Sequence, residues 1–422
     1  MDAPMRLVMS GRMNPRRHEW LQSLGRLGES LDMPVYLVGG PVRDLIMGRV
    51  ELDTDISVEG DALEFARLLA HRDTAGVVTH PEFQSATVTY ADGRHLDIVA
   101  TRSETYSHPG ALPSVSRADI VEDLKRRDFT INTIAMDLSP GAFGQLLDPY
   151  DGYGHLREGL LQGLHESTFI DDPTRILRAA RFTMRLGLRI GAATAQWLEA
   201  AAADNALATV SHERIVAELR YLFAEPTSGD TLGLLDTWGA LEQLGLAGAR
   251  DRLRLTADLL RAQADLGIRA DASVLTATTL GLLLQPEHLE QWLAGCPLTA
   301  DEQNATRQAA LLAHQPPGAV FSTTPESSKL YADLWASVGA ALLAGWAAGN
   351  ANVRSNLKRY HRELADVEAD VTGDDLVACG YRPGPSFKAA LDAALKAKLD
   401  DGANREEQMT AAVRVLDSRD GA

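Results

Sequence analysis

Asp53-Thr54-Asp55 and, farther along the chain, Asp97 supply three carboxylates whose types and spacing suit metal chemistry. On an extended strand, side chains at i and i+2 leave the same face with Cα atoms about 7 Å apart, so Asp53 and Asp55 can converge. Asp97, inside the apolar run His95-Leu96-Asp97-Ile98-Val99, can bring a third carboxylate from another strand. Three acidic groups at one spot repel, and hard oxygen donors select Mg2+, with Mn2+ as the alternative. Two such ions about 3.5–4 Å apart would activate an attacking hydroxyl and stabilise a leaving pyrophosphate. Gly39-Gly40 comes shortly before, where missing side chains let backbone amides approach a phosphate, and Arg43 can grip the same anion. An isolated Asp-x-Asp pair is commonplace, and an isolated Gly-Gly pair is ordinary turn punctuation. The order Gly-Gly, Arg, Asp-x-Asp favours phosphate chemistry.

These residues need strands and a tight turn to hold them. Val35–Val38 reads as a short strand ending in Gly39-Gly40, with helical character over Val42–Met47. A second strand is expected over Asp53–Val58, a helix over Asp61–His71, and strands over Gly76–His80, Ala86–Tyr90 and His95–Ala100. Asp92-Gly93 marks a hairpin between the last two. Thr101–Ser116, rich in Pro, Gly, Ser and Thr, reads as a loop, and Ile131–Leu138 as a helix. Ahead of the first strand, a loose arm over the first 20 residues leads into a helix near Glu19–Leu31. Beyond Asp172 the pattern is almost wholly helical, with prolines at joints such as Pro226, Pro286 and Pro297.

With 422 residues, 45% hydrophobic and 23% charged, the chain reads as globular and as about three domains or subdomains. A formal charge of −17 argues mildly against nucleic-acid binding. Net charge sums over both faces, however, and Lys125-Arg126-Arg127, Arg157, Arg175, Arg178, Arg181, Arg185 and Arg189 cluster along the chain. Cys296 and Cys379 are far apart and lack metal or redox spacing. A reducing cytoplasm fits, and neither a signal peptide nor a membrane span is expected.

Four ordered blocks carry a resemblance. Val38-Gly39-Gly40-Pro41-Val42-Arg43-Asp44, Leu52-Asp53-Thr54-Asp55-Ile56, Lys125-Arg126-Arg127-Asp128-Phe129-Thr130-Ile131-Asn132 and Phe169-Ile170-Asp171-Asp172-Pro173-Thr174-Arg175-Ile176-Leu177-Arg178-Ala179-Ala180-Arg181-Phe182 resemble the class II tRNA nucleotidyltransferase and bacterial poly(A) polymerase family. The resemblance implies an α+β fold: a DNA-polymerase-beta-like head with a small mixed sheet, followed by an all-α neck, body and tail that hold tRNA. The corresponding divisions are an N-terminal arm over 1–24, a catalytic head over 25–160, a neck selecting the nucleotide base over 161–225, and a tRNA-binding body and tail over 226–422. By that likeness Asp53 and Asp55 bind two Mg2+ ions and Asp97 assists. Gly39, Gly40 and Arg43 then meet the triphosphate, and Arg127, Asp128 and Asn132 handle triphosphate and ribose. Ser211-His212-Glu213-Arg214-Ile215-Val216-Ala217-Glu218-Leu219 resembles the neck segment closing the pocket, and Gly380-Tyr381-Arg382-Pro383-Gly384-Pro385 the tail.

The fourth block has a chemical logic of its own. In a helix starting near Pro173, Arg175, Arg178 and Arg185 share about a quarter of the circumference and Arg181 adjoins them. Asp172 can accept from an exocyclic amino group while Arg175 donates to a ring nitrogen. Cytosine and adenine present that pattern and uracil and guanine its inverse, so the pair would admit CTP and ATP. Standing alone, the stripe would read as an ordinary solvated helix face.

Two departures stand out: Asp171-Asp172 replaces the family's Glu-Asp, and Asp148-Pro149-Tyr150-Asp151-Gly152-Tyr153 lacks one glycine of the usual Asp-x-x-Gly-Gly. The segment Ala100–Pro113 resembles the shorter loop of enzymes that divide CCA addition between CC-adding and A-adding partners. A-adding members with similar loops often carry extra N-terminal domains, which this chain lacks. The resulting expectation is CMP addition to the tRNA 3′ acceptor end, CC first and complete CCA second, with a separate A-adding enzyme acting on a CC product. A-adding enzyme or poly(A) polymerase follows, and a non-catalytic RNA-binding protein is the remote alternative.

Overall fold

The computed structural model describes residues 13–49, 54–246, 253–256, 258–335 and 337–420. The chain divides into two compact units, Met1–Ile215 with Thr237–Leu244, and Val216–Asp236 with Gly245–Ala422.

The first unit is built on strands β1 (Val35–Val38), β2 (Asp55–Val58), β3 (Gly76–His80), β4 (Ser85–Thr89) and β5 (His95–Ala100). A side ribbon, β6 (Arg102–Thr105) with β7 (Ser114–Arg117), precedes β8 (Ala135–Asp137) and β9 (Leu146–Leu147). The main sheet has the order β3-β4-β5-β2-β1-β8-β9. Only the β2–β5 pair in it runs parallel, giving the expected mixed sheet. Helices α1 (Pro15–Ser30), α2 (Gly40–Ile46) and α3 (Ala62–Asp73) frame it. Leu21 and Leu24 of α1 and Phe65, Ala66 and Leu69 of α3 bury against Val35, Leu37, Ile56, Val88, Leu96 and Ile98. Every second residue of β5 enters this core, so alternation sends Asp97 to the opposite, exposed face.

Local chemistry accounts for the boundaries. Asn14 Oδ1 accepts from the Arg16 amide and Pro15 opens the helix, so α1 starts ahead of the expected Glu19. Asp61 caps α3 by accepting from the Leu63 and Glu64 amides, both at 3.0 Å. Gly93, at φ +84°, closes the expected hairpin between β4 and β5.

Two expectations are corrected. Ile131–Leu138 is not a helix: a single 3-10 turn at Thr130–Asn132 leads into β8, which pairs with the free side of β1. A short apolar run carries no intrinsic distinction between buried strand and buried helix, and the backbone partners on β1 decide. Likewise Thr101–Ser116 is not wholly loop, because β6 and β7 pair from Arg102↔Arg117 to Thr105↔Ser114.

The unit continues through α4 (Ile120–Lys125), α5 (Gly152–Glu158), α6 (Thr168–Asp171), α7 (Thr174–Leu186) and α8 (Ala192–Ala203). One short parallel pair, Leu160–Leu161 with Arg189–Ile190, interrupts the helices. The second unit is helical among its described residues. Ala277, Ala309 and Ala344, from helices Ala272–Leu283, Ala300–His314 and Gly339–Ala348, share one core. A Cβ on Gly281 would lie 2.5 Å from that of Ala309, so small residues set how closely the first two of these helices approach. No single described helix is long and apolar enough to cross a membrane.

Candidate active site

The parallel pairing of β2 with β5 places Asp55 directly opposite Asp97, and the antiparallel β4 places Thr87 opposite Asp97 on the other side. Directly paired residues share a sheet face, so Asp55, Asp97 and Thr87 form one row across three strands. The Asp97 amide donates to the Thr54 carbonyl at 3.0 Å, and Thr87 Oγ1 donates to Asp97 Oδ1 at 2.6 Å. Asp53 lies outside the described residues. Among the described residues no three His, Cys, Asp or Glu side chains are grouped closely enough to hold a metal. The donor set is oxygen and Asp97 is exposed, which fits a hard divalent cation such as Mg2+.

The register of β1 on β2 brings the end of β1 alongside this row. There Gly39 takes φ +69° and ψ −126°, a conformation that disfavours side chains, and its amide donates to the Ile134 carbonyl. A Cβ at Gly39 would lie 2.8 Å from Nη1 of Arg127, so the guanidinium rests against the bare turn. Gly40 then opens α2.

Arg43, expected to face an anion directly, is buried and paired within the protein. Its Nε and Nη2 donate to the two carboxylate oxygens of Asp44, each at 2.9 Å, and Nη1 donates to Asn132 Oδ1 at 2.7 Å. Asn132 passes the connection on, donating Nδ2 to Asp128 Oδ1 at 2.9 Å. Asp128 Oδ2 accepts from Nε and Nη2 of Arg178 at 2.8 and 2.6 Å. Burial alone would raise the Asp128 carboxyl, but Arg178, the Asn132 hydrogen bond and nearby Arg175 outweigh it and hold it at about 2.

Arg126 and Arg127 are organised by Asp123, a fully buried carboxylate that the sequence reading left unassigned. Arg126 binds its Oδ1 and Arg127 its Oδ2, all at 2.9–3.0 Å. These two arginines outweigh the burial that would raise the Asp123 carboxyl, and hold it below its ordinary value. Spacing was the available signal, since a carboxylate three and four residues before two arginines faces both on a helix.

The predicted base-reading pair is placed on α7 and its entry turn, but the two side chains hold different partners. Asp172 Oδ1 accepts from Thr174 Oγ1 at 2.6 Å and from Arg214 Nη2 at 2.7 Å. Arg214 Nη1 reaches across to the Gly110 carbonyl at 3.0 Å, joining the segment between β6 and β7 to Asp172. Arg175 is buried; Nη1 donates to Thr168 Oγ1 at 2.9 Å and Nη2 to the Arg126 carbonyl at 2.8 Å. The arginine stripe is therefore no solvated face: Arg175 and Arg181 are buried and Arg178 is half-buried, with only Arg185 exposed. Tyr106 adds a group that the sequence reading missed. Burial, reinforced by Glu104, pushes its phenol up to about 12, and both Arg175 and Asp172 lie within its electrostatic reach.

The departure at Asp148–Tyr153 also finds its reason. Asp148 accepts from the Gly152 and Tyr153 amides at 2.7 and 2.8 Å, bonds that any residue can supply. Gly152 is required, because a Cβ there would lie 2.2 Å from the Thr130 carbonyl oxygen, while Asp151, in the place of the motif's first glycine, takes φ +55°, a left-handed conformation that aspartate tolerates.

Comparison with known proteins follows the same outline. Residues 35–162 match the Poly A polymerase head domain family. The chain is 33% identical to an A-adding tRNA nucleotidyltransferase of Geobacter sulfurreducens, over 94% of this chain and 47% of the relative. It is 35% identical to an A-adding tRNA nucleotidyltransferase of Halalkalibacterium halodurans, over 88% of this chain and 86% of the relative. A CC-adding tRNA nucleotidyltransferase of Deinococcus radiodurans is 37% identical over 54% of this chain and 60% of the relative. Among solved structures, a CCA-adding enzyme in complex with ATP superposes with a TM-score of 0.82 at 27% identity, covering 99% of this chain and 100% of that one. A Thermotoga maritima CCA-adding enzyme complexed with tRNA gives 0.77 at 27% identity, over 99% and 100%.

Proposed function

Because this chain belongs to the tRNA nucleotidyltransferase family, we propose that it extends the 3′ acceptor end of tRNA without a template, taking CMP from CTP and releasing pyrophosphate. The observation that carries this reading is the in-register row of Asp55, Asp97 and Thr87 beside the Gly39 turn. Asp53 and Asp55 would hold two Mg2+ ions, with Mn2+ as the alternative, which when bound lower the pKa of the attacking 3′-hydroxyl and neutralise the pyrophosphate. Asp97 adds the third carboxylate and Thr87 fixes its direction.

Gly40 offers its backbone amide to the triphosphate, whereas the Gly39 amide is taken by the Ile134 carbonyl and Gly39 serves by leaving room for Arg127, which lies on the turn and supplies cationic charge there. Arg43 and Asn132 act mainly from behind, by fixing Asp128, which in turn orients Arg178. Arg178 and Arg181 add positive charge on α7. Asp172 reads the exocyclic amino group through Oδ2, since Thr174 and Arg214 both engage Oδ1. Arg175 reads the ring nitrogen from donors beyond those that it gives to Thr168 and Arg126, a guanidinium having five N–H groups.

A second reading, addition of AMP to a tRNA ending in CC, is favoured by the extent of likeness to the A-adding relatives, 94% and 88% of this chain against 54% for the CC-adding one. The 86% coverage of the Halalkalibacterium relative also removes the length argument against A addition. The deciding experiment supplies tRNA ending in the discriminator base, in C or in CC, with CTP and ATP separately and together. Incorporation of CMP on the first two substrates supports the CC reading, and AMP on the CC-ending substrate alone supports the A-adding one. Asp55→Asn or Asp97→Asn should lower incorporation about a thousandfold with the melting temperature retained. Wild-type turnover in either variant would overturn the metal assignment.

A further inference from the structure

Phe182, on α7, stands at the meeting point of three guanidinium groups. The Cζ atoms of Arg181, Arg178 and Arg43 lie 5.0, 5.3 and 5.4 Å from its ring centre. Two of these arginines come from α7 and one from α2, so a single ring ties the base-selection helix to the helix that follows the glycine turn. The ring itself is buried and packs on Phe129 in a T-shaped contact at 6.0 Å, and Phe129 packs in turn on Phe169.

Three like charges gathered around one point repel one another. Asp44 offsets Arg43 and Asp128 offsets Arg178, and the Phe182 ring is a group that all three guanidinium groups share. The face of an aromatic ring carries the negative lobe of its quadrupole and attracts guanidinium groups most strongly where water is excluded. A leucine of similar volume would fill the space without that attraction.

We propose that Phe182 is a positioning residue for nucleotide binding: its ring gathers Arg178 and Arg181 against the inner Arg43, so that the anionic nucleotide meets α7 cations already in place. Preorganisation of this kind lowers the cost of ordering long side chains when the ligand arrives. The inference rests on the reading above that this arginine cluster serves the nucleotide.

The test separates ring charge distribution from ring shape. Phenylalanine analogues carrying one, two and three ring fluorines are introduced at position 182 of the full chain, and CTP and ATP binding are measured without tRNA. Fluorination withdraws the negative lobe while nearly preserving size, so Kd should rise stepwise, reaching about fivefold or more for the trifluoro ring, which corresponds to about 1 kcal/mol, the scale of one cation–π contact. The turnover rate at saturating nucleotide should stay within about twofold, because the reacting groups are untouched. Phe182→Leu should weaken binding at least as much as the trifluoro ring, and Phe182→Tyr should stay near wild type. A flat Kd across the fluorinated series, with wild type binding normally, overturns this inference alone. A wild-type chain that binds neither nucleotide overturns both this inference and the proposed function.

Discussion

Asp128→Asn tests the network behind the candidate site most directly. The carboxylate is only 6% exposed and accepts four hydrogen bonds, from Phe129, Asn132 and twice from Arg178. Holding its carboxyl at about 2 rather than 3.8 corresponds to about 2 kcal/mol of stabilisation at neutral pH, at 1.36 kcal/mol per decade of proton affinity. Because the folded value is depressed, this contribution is fully present above the unfolded value of 3.8 and is lost as pH falls toward 2. An asparagine keeps the shape, but its amide sets donors against donors and removes the negative charge that faces Arg178. The combined cost should be about 3 kcal/mol. Urea unfolding followed by circular dichroism at pH 7 should show that deficit in the first unit. Repeating the titration from pH 5 to pH 3 should show wild type losing its advantage over the variant as acid is added. A deficit under about 1 kcal/mol, or a wild-type advantage independent of pH across that window, would refute the electrostatic account of this network.

Three further substitutions probe the packing and the base-selecting residues. Gly25→Ala should destabilise by about 3 kcal/mol, seen as a lowered melting temperature, although alanine is the better helix former. Its Cβ would lie 1.7 Å from the Leu138 carbonyl oxygen, so a stabilised variant would contradict the packing of α1 on the end of β8. Arg175→Ala and Arg214→Ala should both blur discrimination between CTP and UTP, but at different cost to the fold. Arg175 is buried against Thr168 and the Arg126 carbonyl and should cost about 2–3 kcal/mol. The partly exposed Arg214–Asp172 pair should cost about 1 kcal/mol or less. Unchanged base choice in both variants would count against selection by Asp172 and its neighbours.

Much of the candidate site was legible before any coordinates. The alternation His95-Leu96-Asp97-Ile98 demanded that Asp97 face away from the core that takes Leu96 and Ile98, and it does. Gly39-Gly40 required a turn that a side chain would obstruct, and Arg127 rests where that side chain would be. Less legible were the partners of the arginines. Asp123 and Phe182 sat in plain view, but helical spacing says which residues share a face and not what covers that face. The arginine stripe on α7 illustrates this, since the same spacing describes a solvated face and the mostly buried one found here. The apolar run Ile131–Leu138 misled for a related reason: its period fits either kind of buried element.

By itself, then, the sequence determined the ordered blocks, the strand alternation, the glycine turn and the helical character beyond Asp172. These are properties of covalent geometry and of residues near one another in the chain. Only the tertiary structure decided that β5 runs parallel beside β2, bringing Asp97 opposite Asp55 across an intervening helix and two strands. It decided too that Asp128 holds Arg178, that Arg43 is held by Asp44 and Asn132, and that Arg214 joins Gly110 to Asp172. Strand order and ion-pair partners depend on which distant backbone and side-chain groups complete one another's hydrogen bonds, and neighbours in the chain carry no record of that choice.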